Sequence, residues 1–342
     1  MTRSAEQLGL FRREECRLER PVLRDPALQE EFDRRGYVVV PLLDPDEVRT
    51  LYDGYARAAA RAEGLNEPGA YNDTYAEFSV IHSRPSFRRE AYDLICPVVT
   101  PKADRYLQDY RPLIANFVNK PPGTGVVPAH QNWSVVDESQ YQSVSVWVAL
   151  VDCQVENGAM SMYDGSHLDL RGRRGIWAYA AFAGIEDDLI SEVLTPIEVK
   201  AGDAVILDDA LVHYSPPNLT DDRRLAIQFV MVPEEADTFF FQAGDASDGC
   251  VEVDQWRVDA PFFFEFIHGE RDPDHAELVE RLELPEPSMD LPTLRHLVEG
   301  IEPAPEAATD ATDAEVQAPD ANEAAPPRKG RLLDWLRSKL SA

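Results

Sequence analysis

The sequence predicts a mainly β fold with flanking helices, a double-sheet sandwich or barrel at its core, and three observations carry that prediction. Between residues 113 and 233, short β-rich runs (LIANFVNK, GTGVVPAH, YQSVSVWVALVD, GAMSMYDGSH, SEVLTPIEVKAGDAVILDD, LVHYSPPN, RRLAIQFVMV) alternate with Gly, Pro, Asn and Asp. That is the texture of many short antiparallel strands. Within YQSVSVWVALVD the period is two: Val144, Val146 and Val148 share one face, and Ser143, Ser145 and Trp147 share the other. One face then packs on a core and the other lines a cavity. Ahead of this region the pattern is helical, so helices flank the β-rich run in sequence.

Taken in order, residues 1–30 read as charged and irregular. Phe32 to Leu43 then gives a turn glycine at Gly36, a β-branched run and a stop at Pro41, which is a short strand. Asp44 opens a helix: it is an N-cap residue, Pro45 suits the first helical position, and Asp46 and Glu47 favour the positive end of the dipole. Val48, Leu51, Tyr52 and Tyr55 fall on one face. Residues 86–110 read as helical despite Pro97 and Pro101. After the β-rich region come an aromatic segment (236–266) and two expected helices, near 273–283 and 291–299. The aromatics admit a substrate beneath them or simply pack a core, and core packing is the favoured reading. Residues 302–327 carry seven acids and no base among Ala, Pro and Thr, the composition of a disordered acidic linker. Residues 328–342 read as a short basic amphipathic helix with a stripe of Leu332, Leu333, Trp335, Leu336 and Leu340. It is expected to dock on its own domain or on a protein partner, and is too short for stable membrane anchoring. The organisation expected is therefore one domain over 1–301, with its β core at about 113–233, followed by linker and helix.

Over 342 residues there are 62 acidic and 33 basic side chains, a formal charge of −29. A field of that sign repels phosphates and argues against nucleic acid as a partner. The tail 302–342 contributes only −3 of it, so the body itself is acidic; adaptation to a salt-rich cytoplasm is favoured over a purely genomic bias towards arginine. Cys16, Cys96, Cys153 and Cys250 are scattered, with no CxxC, so neither a zinc site nor a disulfide framework is expected. The first residues lack an apolar signal-like run and no stretch approaches membrane-spanning length, which makes a cytoplasmic protein the expectation.

Two histidines stand out. His130 closes GTGVVPAHQNW and His213 sits in GDAVILDDALVHYSPPN, each at a strand end in the β-rich region. Lone strand histidines are usually structural, but two facing one cavity suit a metal with open positions. A facial triad needs a second donor two residues from one of them, on the same strand face. Here that position is Asn132.

These features in sequence order resemble the phytanoyl-CoA dioxygenase family of Fe(II)/2-oxoglutarate oxygenases. FDRRGYVVVPLLDPDEV, HQNW, ENGAMSMYDGSH and KAGDAVILDDALVHYSPPNLTDDRRLAI carry the resemblance, which runs from about Phe32 to Pro233. It implies a double-stranded β-helix (jelly-roll) core with outer helices. It implies Fe(II) as cofactor and 2-oxoglutarate as cosubstrate. The activity implied is hydroxylation of an organic small molecule or carrier-linked acyl group, with succinate and CO₂ as co-products. By the resemblance, His130 and His213 are metal ligands, with Asn132 at the third, usually acidic, position. Arg224 binds the distal carboxylate of 2-oxoglutarate, helped by Ser215; Trp147 and Lys120 lie near the cosubstrate. Arg223 is the competing neighbour, disfavoured by its spacing from His213. Gln131 and Asn218 are candidates to orient the site, and His167 reads as a structural turn histidine. Gly158 and Gly165 read as turn glycines with positive φ.

Asn132 opens an alternative. A neutral amide is a weaker ligand than a carboxylate, so the chain reads either as an oxygenase with a weakened metal site or as a non-catalytic, or weakly active, ligand-binding homologue. Asp137 or Glu138 could compensate only by a folding back of their loop. A halide in the acid's place needs a smaller residue than asparagine.

Overall fold

Strand runs bounded by turn residues become two facing sheets in the computed structural model, which describes residues 3–18, 20–62, 75–175, 177–178, 181–265 and 276–301. The expected C-terminal linker and helix lie outside these. The chain enters through helix α1 (Pro26–Arg35), strand β1 (Tyr37–Pro41) and helix α2 (Pro45–Ala62). The Asp44 carboxylate caps α2 by accepting from the backbone N–H groups of Asp46 and Glu47, at 3.0 and 2.9 Å. Glu47 returns the contact to the Asp44 N–H at 3.0 Å, completing a capping box. Strand β2 (Glu77–Phe78) and helix α3 (Pro85–Ala103) precede the sheets proper.

Those sheets use β3 (Tyr110–Lys120), β4 (Val127–His130), β5 (Val144–Ala149), β6 (Met160–Met162), β7 (Thr195–Ile197), β8 (Asp203–Asp208), β9 (His213–Ser215) and β10 (Arg224–Pro233). A short helix α4 (Glu186–Glu192) precedes β7. The major sheet runs β1-β8-β5-β10-β3-β2 and the minor one β4-β9-β6-β7, with antiparallel pairing throughout, the two-sheet jelly roll. The first strand of the major sheet therefore comes from well before residue 113.

The two-residue period sorts the major sheet as its sequence predicts. Val38, Val40, Val144, Val146, Val148, Ile206, Leu225, Ile227 and Phe229 pack outward in one buried cluster with Leu51, Tyr55, Ala91, Ile95 and Val99 of α2 and α3. Tyr37, Trp147, Ala149, Val205, Leu207 and Ala226 point inward and meet Met160 and Met162 of the minor sheet. The inward face also carries the polar residues described below, so β alternation alone delivers them between the sheets.

Two expectations need correction. The described part of the segment expected as a helix near 273–283 is not one. Residues Glu277–Pro285 form strand β13, paired antiparallel with β12 (Cys250–Arg257), which in turn pairs with β11 (Phe239–Ser247). Leu278 and Leu282, four residues apart, satisfy helical and strand spacing alike, and the pairing edge of β12 decides it. Residues 1–30 are not wholly irregular either, since α1 begins at Pro26 with Asp25 as its cap. Only Phe32 of that helix is buried, which is why its periodicity is faint. Helix α5 (Ala260–Glu265) holds part of the aromatic segment and α6 (Leu291–Glu299) is where a helix was expected. Phe240, Phe262 and Phe263 join a buried cluster with Val135 and Val136, ordinary core packing.

Candidate active site

The short strands β4 and β9 pair so that His130 and His213 are direct cross-strand partners. Their rings lie with centroids 4.2 Å apart, and both residues are buried. Each ring is fixed by its own strand. His130 Nδ1 lies 2.7 Å from the Pro128 carbonyl and His213 Nδ1 lies 2.9 Å from the Leu211 carbonyl. A carbonyl only accepts, so each Nδ1 carries the hydrogen and each Nε2 carries the lone pair. Burial keeps both rings neutral: it pushes His213 down to about 4, and pushes His130 well below the ordinary value with the neighbouring His213 adding to the effect.

Asn132 lies just past the end of β4, buried, and its side chain is a hydrogen-bonding neighbour of His130. Its amide is oriented by its surroundings. Nδ2 donates to Asp209 Oδ1 at 2.9 Å and to Ser145 Oγ at 3.0 Å, which uses both hydrogens. Oδ1 accepts from Gln228 Nε2 at 3.3 Å. Its main chain is clamped as well: Arg174 Nε donates to the Asn132 carbonyl at 3.1 Å. Arg174 is in turn held by Glu138 in a buried two-pronged pair at 2.7 and 2.5 Å. Glu138 is thus committed to Arg174 and does not fold back towards the histidines. Gln131 is buried and ties the Leu170 and Ala210 carbonyls together, at 2.8 and 2.6 Å.

Asp209 is a site residue that the sequence pattern did not single out. It is 1% exposed, and burial drives its carboxyl up to about 6. Ser145 Oγ donates to its Oδ1 at 2.7 Å, while Oδ2 meets no hydrogen-bond donor among the described residues. Among those residues no three His, Cys, Asp or Glu side chains are grouped to hold a metal ion. The candidate donor set is then two imidazoles and the Asn132 amide oxygen. Neutral imidazoles with their tautomer set by second partners, together with a hard oxygen, fit a divalent ion of the Fe(II) kind.

A second buried polar cluster is built by β3, β9 and β10, the β9 end of it two residues from His213. Lys120 and Arg224 are direct partners across β3 and β10, and both are fully buried. Lys120 Nζ donates to the Ser215 carbonyl at 3.0 Å, to Ser215 Oγ at 2.5 Å and to the Pro216 carbonyl. Arg224 Nη2 donates to Ser215 Oγ at 3.1 Å and to the Gly158 carbonyl at 3.3 Å. Its Nε and Nη1 meet no acceptor among the described residues, and the guanidinium carbon lies 5.3 Å from the Trp147 ring centroid. Burial pulls Arg224 below its usual value and Lys120 well below its own, with Arg224 adding to the effect on Lys120. Among the described residues no carboxylate perturbs either of them. Arg223 is exposed, facing away over Tyr55. Gly158 has φ +87°, and a Cβ there would lie 2.5 Å from the Pro216 carbonyl and 3.0 Å from Lys120 Nζ, so the pocket needs glycine. Asn218 donates to the Lys120, Pro121 and Asp222 carbonyls, stitching the two strand ends together.

His167 belongs to neither end. It is buried beneath Gly36 and edge-on to Phe32, with its ring centroid 6.3 Å away.

Comparison with known proteins now bears on this arrangement. Residues 32–226 match the family model described as Phytanoyl-CoA dioxygenase (PhyH), a span that includes both histidines, Ser215 and Arg224. The chain belongs to the phytanoyl-CoA dioxygenase family. Phytanoyl-CoA dioxygenase domain-containing protein 1 of Danio rerio is 31% identical over 127 residues, 35% of this chain and 44% of that protein. The phytanoyl-CoA dioxygenase of Arabidopsis thaliana is 31% identical over 136 residues, 36% of this chain and 46% of that one. The chain thus aligns with less than half the length of these relatives. Among solved structures, the non-heme alpha-ketoglutarate-dependent carbocyclase SnoK has a TM-score of 0.46 at 21% identity, covering 63% of this chain and 86% of its own. HygX from Streptomyces hygroscopicus, solved with nickel and 2-oxoglutarate bound, has a TM-score of 0.45 at 20% identity, covering 62% and 88%. Among the described residues no helix is long and apolar enough to cross a membrane.

Proposed function

We propose that this chain is an Fe(II)/2-oxoglutarate-dependent oxygenase that hydroxylates an organic small-molecule or carrier-linked acyl substrate. The observation that supports it most is the Arg224–Lys120 pair. Two adjacent basic groups are held out of water with no acid beside them among the described residues, and Arg224 keeps two N–H groups unmet. Such a site is costly unless an anion completes it. A carboxylate matches the guanidinium edge in two-pronged geometry.

In this reading Arg224 binds the distal carboxylate of 2-oxoglutarate, Lys120 adds charge, and Ser215 sits between them. Trp147 walls that end and excludes water. His130, His213 and Asn132 hold the metal at the opposite end, so the cosubstrate lies between an anion site and a cation site. Iron bound there supplies oxygen activation: substrate C–H, O₂ and 2-oxoglutarate become C–OH, succinate and CO₂. The second reading, a non-catalytic or weakly active ligand-binding homologue, draws on Asn132 standing where the family's acid usually stands.

Anaerobic titration with Fe(II) and 2-oxoglutarate separates the two. The oxygenase reading expects a visible charge-transfer band in the wild type that is lost in His213→Ala and in Arg224→Met. No band at millimolar iron in the wild type, with a band in Asn132→Asp, favours the binding homologue.

A further inference from the structure

A metal held by two neutral imidazoles and an amide receives no negative charge from its protein ligands, yet a carboxylate lies one hydrogen bond behind the amide. Asp208 and Asp209 are neighbours with opposite surroundings. Asp208 Oδ2 meets the Arg171 guanidinium at 2.5 Å and Gln142 Nε2 at 2.9 Å, and its Oδ1 accepts the Ala210 N–H at 2.8 Å. Asp209 Oδ1 meets the Asn132 amide and the Ser145 hydroxyl, the Ser143 hydroxyl also lies against the carboxylate, and no cation pairs with it among the described residues. The nearest guanidinium, Arg174, is spent on Glu138 and reaches only the Asp209 main-chain carbonyl, at 3.5 Å. A buried carboxylate without a cation is as incomplete as the buried cations at the other end of the cavity.

We propose that Asp209 is the positioning carboxylate of the metal site: it turns the Asn132 amide oxygen towards the imidazoles and lends that oxygen negative charge. The inference rests on the oxygenase reading for its metal position. The geometry fits because both Nδ2 hydrogens are taken by Asp209 and Ser145, so Oδ1 faces the other way. An amide whose N–H donates to an anion is polarised, with more charge on its oxygen, and the effect is strong where the dielectric is low. The family's acid is then displaced outward by one side chain rather than lost.

The test uses the full chain and Co(II) alone, followed by calorimetry and by the ligand-field absorption of the bound ion. Asp209→Asn is expected to weaken Co(II) binding by about 10–100-fold, the usual scale for partners of a metal ligand. In an Asn132→Asp background, where the ligand brings its own charge, the same substitution is expected to change affinity less than about threefold. Ser145→Ala, which keeps the carboxylate but loosens it, is expected to give a smaller loss than Asp209→Asn. If Asp209→Asn does not fold, that loss together with an altered ligand-field spectrum carries the test. Unchanged affinity in Asp209→Asn or, if that variant is unfolded, in Ser145→Ala overturns the proposal and leaves the oxygenase reading standing. So does an equal loss in both Asn132 backgrounds, the mark of a merely structural role. A wild type that takes up no Co(II) at millimolar concentration overturns both.

Discussion

The two ends of the cavity are incomplete in opposite senses. At one, Arg224 and Lys120 are buried cations without an acid; at the other, two neutral imidazoles and an amide are backed by Asp209, a buried acid without a cation. Each end sits on adjacent strands in direct register, Lys120 opposite Arg224 and His130 opposite His213. On the oxygenase reading, each end awaits a ligand of the opposite sign. Elsewhere in the interior, as at Arg171–Asp208 and Arg174–Glu138, opposite charges meet directly.

The largest expected effect that would break this contrast is at the cationic end. Arg224→Met is expected to weaken 2-oxoglutarate binding by at least about 100-fold by calorimetry with metal present, the loss of a two-pronged charged contact. The same change is expected to stabilise the ligand-free fold by about 1–3 kcal/mol in denaturant titration, because an unpaired buried charge is removed. A loss of stability there would mean that Arg224 is completed from within. Next, His213→Ala is expected to abolish Co(II) binding while leaving the ligand-free fold cooperative.

A smaller effect comes from pH. In the unfolded chain the imidazoles take up protons near the ordinary value of 6.5, but His213 in the fold does so only near 4 and His130 well below its usual value. Between those limits the unfolded state binds more protons, so ligand-free stability falls as pH drops from about 6.5 towards 4. Asp209, raised to about 6 from 3.8, works in the opposite direction over that range. Asp209→Asn is therefore expected to steepen the acid loss and His213→Ala to flatten it, as read by denaturant midpoints at a series of pH values.

What is legible in the sequence follows the same division. The fold class comes from strand texture, and the alternation in 143–148 is enough to place Trp147 and Ser145 on the cavity side. The spacing from His213 separates Arg224 from Arg223, and in the fold Arg224 opens β10 buried while Arg223 just before it is exposed. Asp209 is hidden because its partnership with Asn132 crosses 77 positions. In the sequence it is one acid of a DD pair that reads as a solvated turn. The only local signal is a second acid directly after the buried run VIL. The pairing of Lys120 with Arg224 is equally invisible, since register between β3 and β10 is a property of the sheet. Strand β13 reads wrongly as a helix because its leucines suit two periods, and only β12 chooses between them.

On the oxygenase reading, turnover requires both incomplete ends to be filled at once. The most direct measurement is to load the wild-type chain anaerobically with Fe(II) and 2-oxoglutarate, admit oxygen, and quantify succinate. Succinate stoichiometric with bound iron is expected in the wild type, and none in Arg224→Met or His213→Ala. No succinate from the wild type, with succinate appearing in Asn132→Asp, would contradict the oxygenase reading.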